Sequence, residues 1–331
     1  MDENEIRPYF KLENVRTGAF NVATRLWGIT LTEIKDIPVY HEDVKVFEVK
    51  NADGSHLGIL YVDYFPRPSK RGGAWMDNFK YQEKMYGKDS RPVIVNVGNF
   101  SKPTADKPSL LSVDEVETLF HEFGHALHGL FASATYLKVS GTNVARDFVE
   151  LPSQIMENWA FAPEVLKDYA KHYETGAVIP DALIEKINKA DKFNQGFIST
   201  EYLAACLLDM NWYTIKEWKE IDPLKFEKDI MSRIGLIDEI TPRYRNTYFS
   251  HIFAGGYDAG YYNYIWADVL VADAFQAFKE NGLFDQKTAK SLRENILEKG
   301  GSEDPMKLFV KFRGREPKIE ALIAKRGLDQ F

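Results

Sequence analysis

Three of the chain's seven histidines fall within eight residues of one another, in the run Leu119-Phe-His121-Glu122-Phe-Gly-His125-Ala-Leu-His128. Imidazole both titrates and ligates metals near neutral pH, so such a cluster suits a metal, a proton transfer, or both. On a helix, residues four apart sit one turn above each other, and His121 and His125 then aim two rings at one divalent ion. Glu122, displaced by one position, falls beside that ion rather than on it, where a carboxylate can act as a base toward water. A catalytic zinc site takes three protein ligands and leaves one position for water, so two histidines do not complete it.

The third ligand has to come from elsewhere in the chain. The metzincin spacing, with glycine three residues after the second histidine and a third histidine three further on, is not met, because those positions hold His128 and Phe131. A second helix is required, and the segment Arg146-Asp-Phe-Val-Glu150-Leu-Pro-Ser-Gln154 offers Glu150, 25 residues past His125. That distance leaves room for a loop and an antiparallel return. Position alone leaves open whether Glu150 ligates or is a solvated helix carboxylate. Gln154 and Glu157, one and two turns further, are candidates to hold the other ring nitrogen of a ligating imidazole. His128 shares a face with His125 and either touches substrate or packs.

The elements that must position these groups are legible from periodicity. Phe10, Val15, Phe20, Val22 and Leu26 predict an amphipathic helix between Pro8 and Gly28, interrupted at Gly18. From Val44 to Phe65 the period changes to two on either side of Asn51-Ala-Asp-Gly54, which predicts a hairpin. After a loop from Pro66 to Trp75, the run from Pro92 to Val97 reads as one more strand. With Gly98-Asn99-Phe100 behind it, that strand is either an edge for an extended peptide or an ordinary core strand. From Ser112 onward the period is helical, with Ser112 as N-cap and Glu115 completing a capping box. Breaks near Pro163, Gly176, Pro180, Pro223, Pro242, Gly282, Gly300 and Pro317 predict about eight further helices.

Bulk properties bound the partners. With 331 residues, 44% hydrophobic and 27% charged, the chain can bury a large core and shows no low-complexity linker, so it is read as a single unit over 1–331: helix plus small sheet over 1–110, helices and the metal site over 111–331. A net charge of -7 argues against nucleic acid as a partner. No run of about 18 apolar residues is present, so no membrane partner is expected. Cys206, the only cysteine, sits among apolar neighbours and reads as a packed thiol. One cysteine forms no internal disulfide, and Met1 to Ile6 is acidic with no apolar stretch behind it, so a cytoplasmic location without a secretory signal is expected.

Several motifs together resemble the thimet oligopeptidase family of zinc metallopeptidases, nearest to its peptidyl-dipeptidase (dipeptidyl carboxypeptidase) branch. They are Phe120 to Gly129, Ser140-Gly-Thr-Asn143, Asp147 to Gln154, Ser250-His-Ile-Phe-Ala-Gly-Gly-Tyr-Asp-Ala-Gly-Tyr-Tyr-Asn-Tyr-Ile-Trp266 and Arg313-Gly-Arg-Glu-Pro-Lys318, spread over essentially the whole chain. The resemblance implies a mainly α, multi-helix zincin-type catalytic half with a small β-sheet near the N-terminus. It implies one Zn2+ held by His121, His125 and Glu150, with Glu122 as general base toward a zinc-activated water. It also implies a glycine-rich loop whose tyrosines meet the substrate, with Tyr257, Tyr264 and the nearby His251 serving catalysis and Tyr261 contacting substrate; His128 is a further substrate-contact candidate from its position beside His125. Without the resemblance these aromatics read as packing residues.

The implied activity is hydrolysis of short peptides with release of C-terminal dipeptides, the alternative being an endo-acting oligopeptidase of the same family. Such release needs a holder for the free carboxylate, and the sequence leaves the choice open among Arg146, Arg243, Arg245 and the tyrosines. The family also carries a helical N-terminal half facing the catalytic half across a channel, which this sequence does not contain. That departure raises a third reading, a non-catalytic zinc-binding module that needs a second half.

Overall fold

The period-two segments form a five-stranded sheet in the computed structural model, which describes residues 2–217 and 219–329. The strands β1 (Thr30–Ile34), β2 (Lys45–Lys50), β3 (His56–Asp63), β4 (Trp75–Lys80) and β5 (Val93–Val97) lie in the order β1-β2-β3-β5-β4. β2 and β3 make the expected antiparallel hairpin, with Val46 opposite Tyr61 and Phe47 opposite Leu60. β5 runs parallel to β3, and β4 pairs antiparallel with its other side. Of the two readings of β5, the ordinary core strand holds and the edge does not: both its sides are paired, and the open edges belong to β1 and β4. Those two strands escape the sequence pattern because none of their residues is fully buried, so no apolar alternation marks them.

Before the sheet come α1 (Glu3–Ile6) and α2 (Leu12–Trp27). The predicted break in α2 does not occur. A Cβ on Gly18 would stand 2.6 Å from the Tyr169 ring, so this glycine permits close packing and the helix runs through it. α2 ends at Gly28, in the left-handed conformation, whose N–H donates to the Thr24 carbonyl.

The remainder is helical: α3 (Val113–Phe131), α4 (Leu151–Ala160), α5 (Pro163–Tyr169), α6 (Asp181–Asp191), α7 (Gln195–Tyr213), α8 (Pro223–Arg233), α9 (Ser250–Phe253), α10 (Asn263–Asn281), α11 (Gln286–Leu292), α12 (Pro305–Arg313) and α13 (Glu320–Lys325). Several prolines read as breaks turn out to open helices, as Pro163 and Pro223 do, because a first-turn residue has no use for its N–H. α3 begins with the predicted capping box: the Ser112 hydroxyl accepts from Glu115 N–H at 3.1 Å, and the Glu115 carboxylate accepts from Ser112 N–H at 2.8 Å.

α3 is the central element. Leu119, Phe120, Phe123, Ala126, Leu127 and Leu130 are all buried in the main core, which joins α3 to the sheet, α2 and α4. Trp159 of α4 is fully buried against Phe275 and Phe278 of α10 at ring distances of 5.0 and 4.9 Å, which fixes α4 from its far side. A smaller aromatic core around Cys206, Phe249, Ile252 and Tyr261 ties α7 to α9 and the loop after it. Cys206 is packed as expected, and burial pushes its thiol up to about 12, which leaves it unreactive at neutral pH. Among the described residues, no helix is long and apolar enough to cross a membrane.

Candidate active site

The two helices that carry the metal motif touch because residue 124 has no side chain. A Cβ there would lie 2.3 Å from the Pro152 carbonyl oxygen and 2.6 Å from Ser153 Cα, so only glycine lets the start of α4 lie against α3 between the two histidines. Glu150 sits at the N-terminal boundary of α4, one residue before its first turn. Its Oε2 lies 3.3 Å from His121 Nε2 and 3.2 Å from His125 Nε2. The two imidazoles are 4.9 Å apart and nearly perpendicular, at 83°.

Three donor atoms in this arrangement fit a divalent ion. Bonds of about 2.0–2.2 Å at tetrahedral angles place ligand atoms about 3.3–3.6 Å apart, which the measured 3.2 and 3.3 Å separations approach. The nitrogen and oxygen donors are also those of catalytic zinc. Glu157 supports them as expected, with Oε1 2.6 Å from His121 Nδ1, which leaves the Nε2 lone pair free to face an ion. Gln154 does not take this role, since its Oε1 is buried without a partner.

Without an ion, the two imidazoles and Glu150 attract one another. Burial works against charge on His121, yet Glu150 and Glu157 lift it well above the usual imidazole range. Burial likewise opposes charge on Glu150, but the two histidines hold it well below the usual carboxylate range. Glu122, 7% exposed, is pushed upward by burial, with the imidazoles pulling the other way. Its Oε2 is buried with no hydrogen-bond partner, an orphaned acceptor beside the donor cluster. The Glu122 carbonyl accepts from Asn96 Nδ2 at 2.8 Å, so β5 fixes α3 in place at this residue.

His128 is brought near the motif but not into it. It is fully buried, neither ring nitrogen has a partner, and burial with the neighbouring His125 pushes it down to about 3. In this structure the His128 ring lies in the core, on the packing side of its two expected places.

His251 on α9 and the loop into α10 bring the tyrosines together. Tyr257 and Tyr264 stack at 5.6 Å, and His251 stands 6.0 Å from Tyr257. Burial raises Tyr264 far above the usual phenol range, and Tyr257 and the Glu150 charge add to it. Tyr261 is only 2% exposed, stacked on Tyr202 at 5.0 Å and edge-on to Phe249 at 4.8 Å. The Tyr261 ring, expected to contact substrate, packs against Tyr202 and Phe249.

One residue of this region went unnoticed in the sequence. Asp209 of α7, fully buried, accepts from the Ala259 and Tyr261 N–H groups at 2.9 Å each and pins the loop between Tyr257 and Tyr264. Ala259 takes a left-handed φ of 50° there, a conformation a non-glycine residue holds only when fixed from outside. The signal available was an acid directly after the apolar run from Tyr202 to Leu208.

A helical unit with two histidines and a glutamate converging from two helices, beside a buried carboxylate, is the catalytic architecture of a metallopeptidase. The chain belongs to Peptidase family M3, whose model matches residues 1–328. It is 46% identical over 333 residues to dipeptidyl carboxypeptidase of Escherichia coli, covering 99% of this chain and 48% of that protein. It is 42% identical over 337 residues to oligopeptidase A of the same organism, covering 99% of this chain and 49% of that protein. The chain thus spans about half the length of the curated relatives it matches. Among solved structures, Pyrococcus furiosus carboxypeptidase shares the fold with a TM-score of 0.57 at 16% identity, over 98% of this chain and 59% of that one.

Proposed function

We propose that the chain is the catalytic half of a zinc metallopeptidase that releases dipeptides from the C-termini of short peptides. The observation that carries this reading is the convergence of His121, His125 and Glu150 with the unpartnered Glu122 carboxylate beside them. Zinc held by those three would supply a Lewis acid that acidifies water and polarises a peptide carbonyl. Glu157 orients His121 by accepting its Nδ1 proton. Glu122 takes the proton of the attacking water and returns it to the leaving amine, a task for which a carboxylate raised toward neutrality is suited.

Tyr264, with Tyr257 stacked on it, stays protonated and so offers a hydrogen bond to the carbonyl oxygen as negative charge grows there. His251 is held below its usual range by burial and by Arg243, so near neutral pH it is a neutral ring with one N–H to donate. The dipeptidyl carboxypeptidase relative favours dipeptide release over the endo-acting alternative suggested by oligopeptidase A. Product ladders from an unblocked peptide and its C-terminally amidated twin decide between them, since dipeptide release should fall sharply with the amide. Glu122→Gln should keep about one zinc per chain and lose hydrolysis by at least about a hundredfold; full activity in that variant would remove Glu122 from the mechanism. With one buried, inert cysteine, we place the protein in the cytoplasm; recovery from a secretory compartment on fractionation overturns that assignment.

A second reading is favoured by the chain's length relative to its relatives and by one surface. Leu203 and Leu207 of α7 and Ile237 are 46, 42 and 58% exposed and line one apolar groove. A chain covering the segment that makes up the other half of the relatives would bury them, and the zinc module would be active only with that half. Peptide cleavage assayed with and without that half in trans distinguishes the two: cleavage by this chain alone removes the second reading.

A further inference from the structure

Removing two residues from a chain end requires that the end be recognised, so a carboxylate-binding site in this chain rests on the dipeptide-release reading. A free α-carboxylate is best held by an arginine with no partner of its own, whose planar fork matches two oxygens. Three arginines stand near the tyrosine loop, and the structure separates them. Arg245 is committed: its Nε lies 2.5 Å from Glu227 Oε1, and the buried Glu227 accepts from Asn246 N–H with its other oxygen. Arg146 leans over Tyr257 at 4.9 Å, but Asp147 and Asp258 line the same cleft, so an entering carboxylate meets two negative charges for one positive.

Arg243 is different. Among the described residues it forms no ion pair, and its guanidinium carbon stands 5.9 Å from the Tyr202 ring centroid. Its charge adds to burial in holding His251 down and opposes burial at Tyr261. The Tyr244, Tyr257 and Tyr261 rings lie 4.6, 6.0 and 5.5 Å from His251, so the imidazole this cation acts on is set among aromatic rings.

We infer that Arg243 binds the C-terminal carboxylate of the peptide at the Tyr202 and His251 side of the tyrosine loop, and thereby sets cleavage two residues from the end. The reach is right. Two extended residues span about 7 Å, and a carboxylate facing a guanidinium adds about 4 Å between their carbons. Tyr202 lies 6.4 Å from Tyr264, which puts the Arg243 guanidinium at most about 12 Å from the Tyr264 ring, whose phenol feels the Glu150 charge.

The test is calorimetric titration of the zinc-loaded chain with alanyl-tyrosine and with alanyl-tyrosinamide, which differ at the carboxylate alone. The parent should bind the acid at least about tenfold tighter than the amide, the effect of one charge-assisted contact. Arg243→Gln should bring the two ligands within about twofold, while Arg146→Gln keeps the full preference. Arg243→Lys, which keeps the charge and loses the fork, should retain part of it, and it decides the matter should Arg243→Gln fail to fold. No preference in the parent, an undiminished preference in the Arg243 variants, or its loss in Arg146→Gln overturns the assignment. Product ladders separate this from the reading beneath it. Dipeptide release with an Arg243-independent preference sinks the site alone, and internal cleavage with an Arg243-dependent preference sinks the dipeptide reading alone.

Discussion

Gly124 lies between the two histidines proposed as ligands, and replacing it with alanine tests whether the metal site depends on how closely α3 and α4 approach. The added methyl carbon would stand 2.3 Å from the Pro152 carbonyl oxygen and 2.6 Å from Ser153 Cα, both main-chain atoms that no rotamer change can move. Ordinary contact needs roughly 3.3 Å, so the start of α4 must retreat by about 1 Å. Metal–ligand bonds tolerate about 0.2 Å, and Glu150, at the boundary of α4, moves with it. The third ligand is then out of reach. Zinc affinity should fall by at least about a hundredfold, close to 2.7 kcal/mol, while overpacking costs the metal-free fold about 1–3 kcal/mol. Competition with a zinc chelator measures the first, and thermal or urea unfolding of the metal-free protein the second. A Gly124→Ala protein that holds zinc within threefold of the parent refutes the argument that this close approach builds the site.

Glu157→Gln keeps the shape of the group behind His121 but weakens its hold on the Nδ1 proton, and should reduce zinc affinity by about 10–100-fold with the fold intact by circular dichroism. Asp209→Asn leaves one of two loop N–H groups facing a donor; the amides of Ala259 and Tyr261 should exchange with deuterium faster, while zinc content is unchanged. If those amides keep the parent's protection, Asp209 is not the anchor of the loop. Buried His128 is pushed down from an ordinary 6.5 to about 3, so the folded chain cannot take up the proton that the unfolded chain accepts. Its contribution to stability is therefore complete above pH 6.5 and is lost as pH falls toward 3, by up to about 1.4 kcal/mol per pH unit. His128→Leu should flatten that part of the urea-unfolding profile, and an unchanged slope would place the titrating group elsewhere.

The range over which each part of the molecule is fixed decides how legible it was in the sequence. The capping box, α3 and the pair His121 and His125 depend on residues within one or two helical turns, where spacing translates directly into geometry. Glu150 needed a long-range contact, and spacing left it open; the resemblance to a peptidase family supplied it, and Gly124 is the physical reason the contact exists. β1 and β4 left no trace because a strand without a buried face has no pattern to read. Gly18 misled for a related reason: a glycine that admits a neighbouring ring has the same letter as one that ends a helix.

The fates of His128 and Tyr261 show the complementary limit. Both belong to motifs beside the candidate site, and sharing a helix face or a loop with a site residue does not decide what a side chain meets. Facing is decided by what fills the other side: the main core for His128, and Tyr202 with Phe249 for Tyr261. Both are supported instead of exposed, and that support has a use. Tyr257 and Tyr264 stay in one place because Tyr261 is packed beneath them and its N–H is held by Asp209, an acid whose burial raises it and whose loop N–H partners pull the other way. A carboxylate in an apolar helix is costly unless something donates to it, and here the donors are N–H groups of the tyrosine loop, which Asp209 thereby ties to α7.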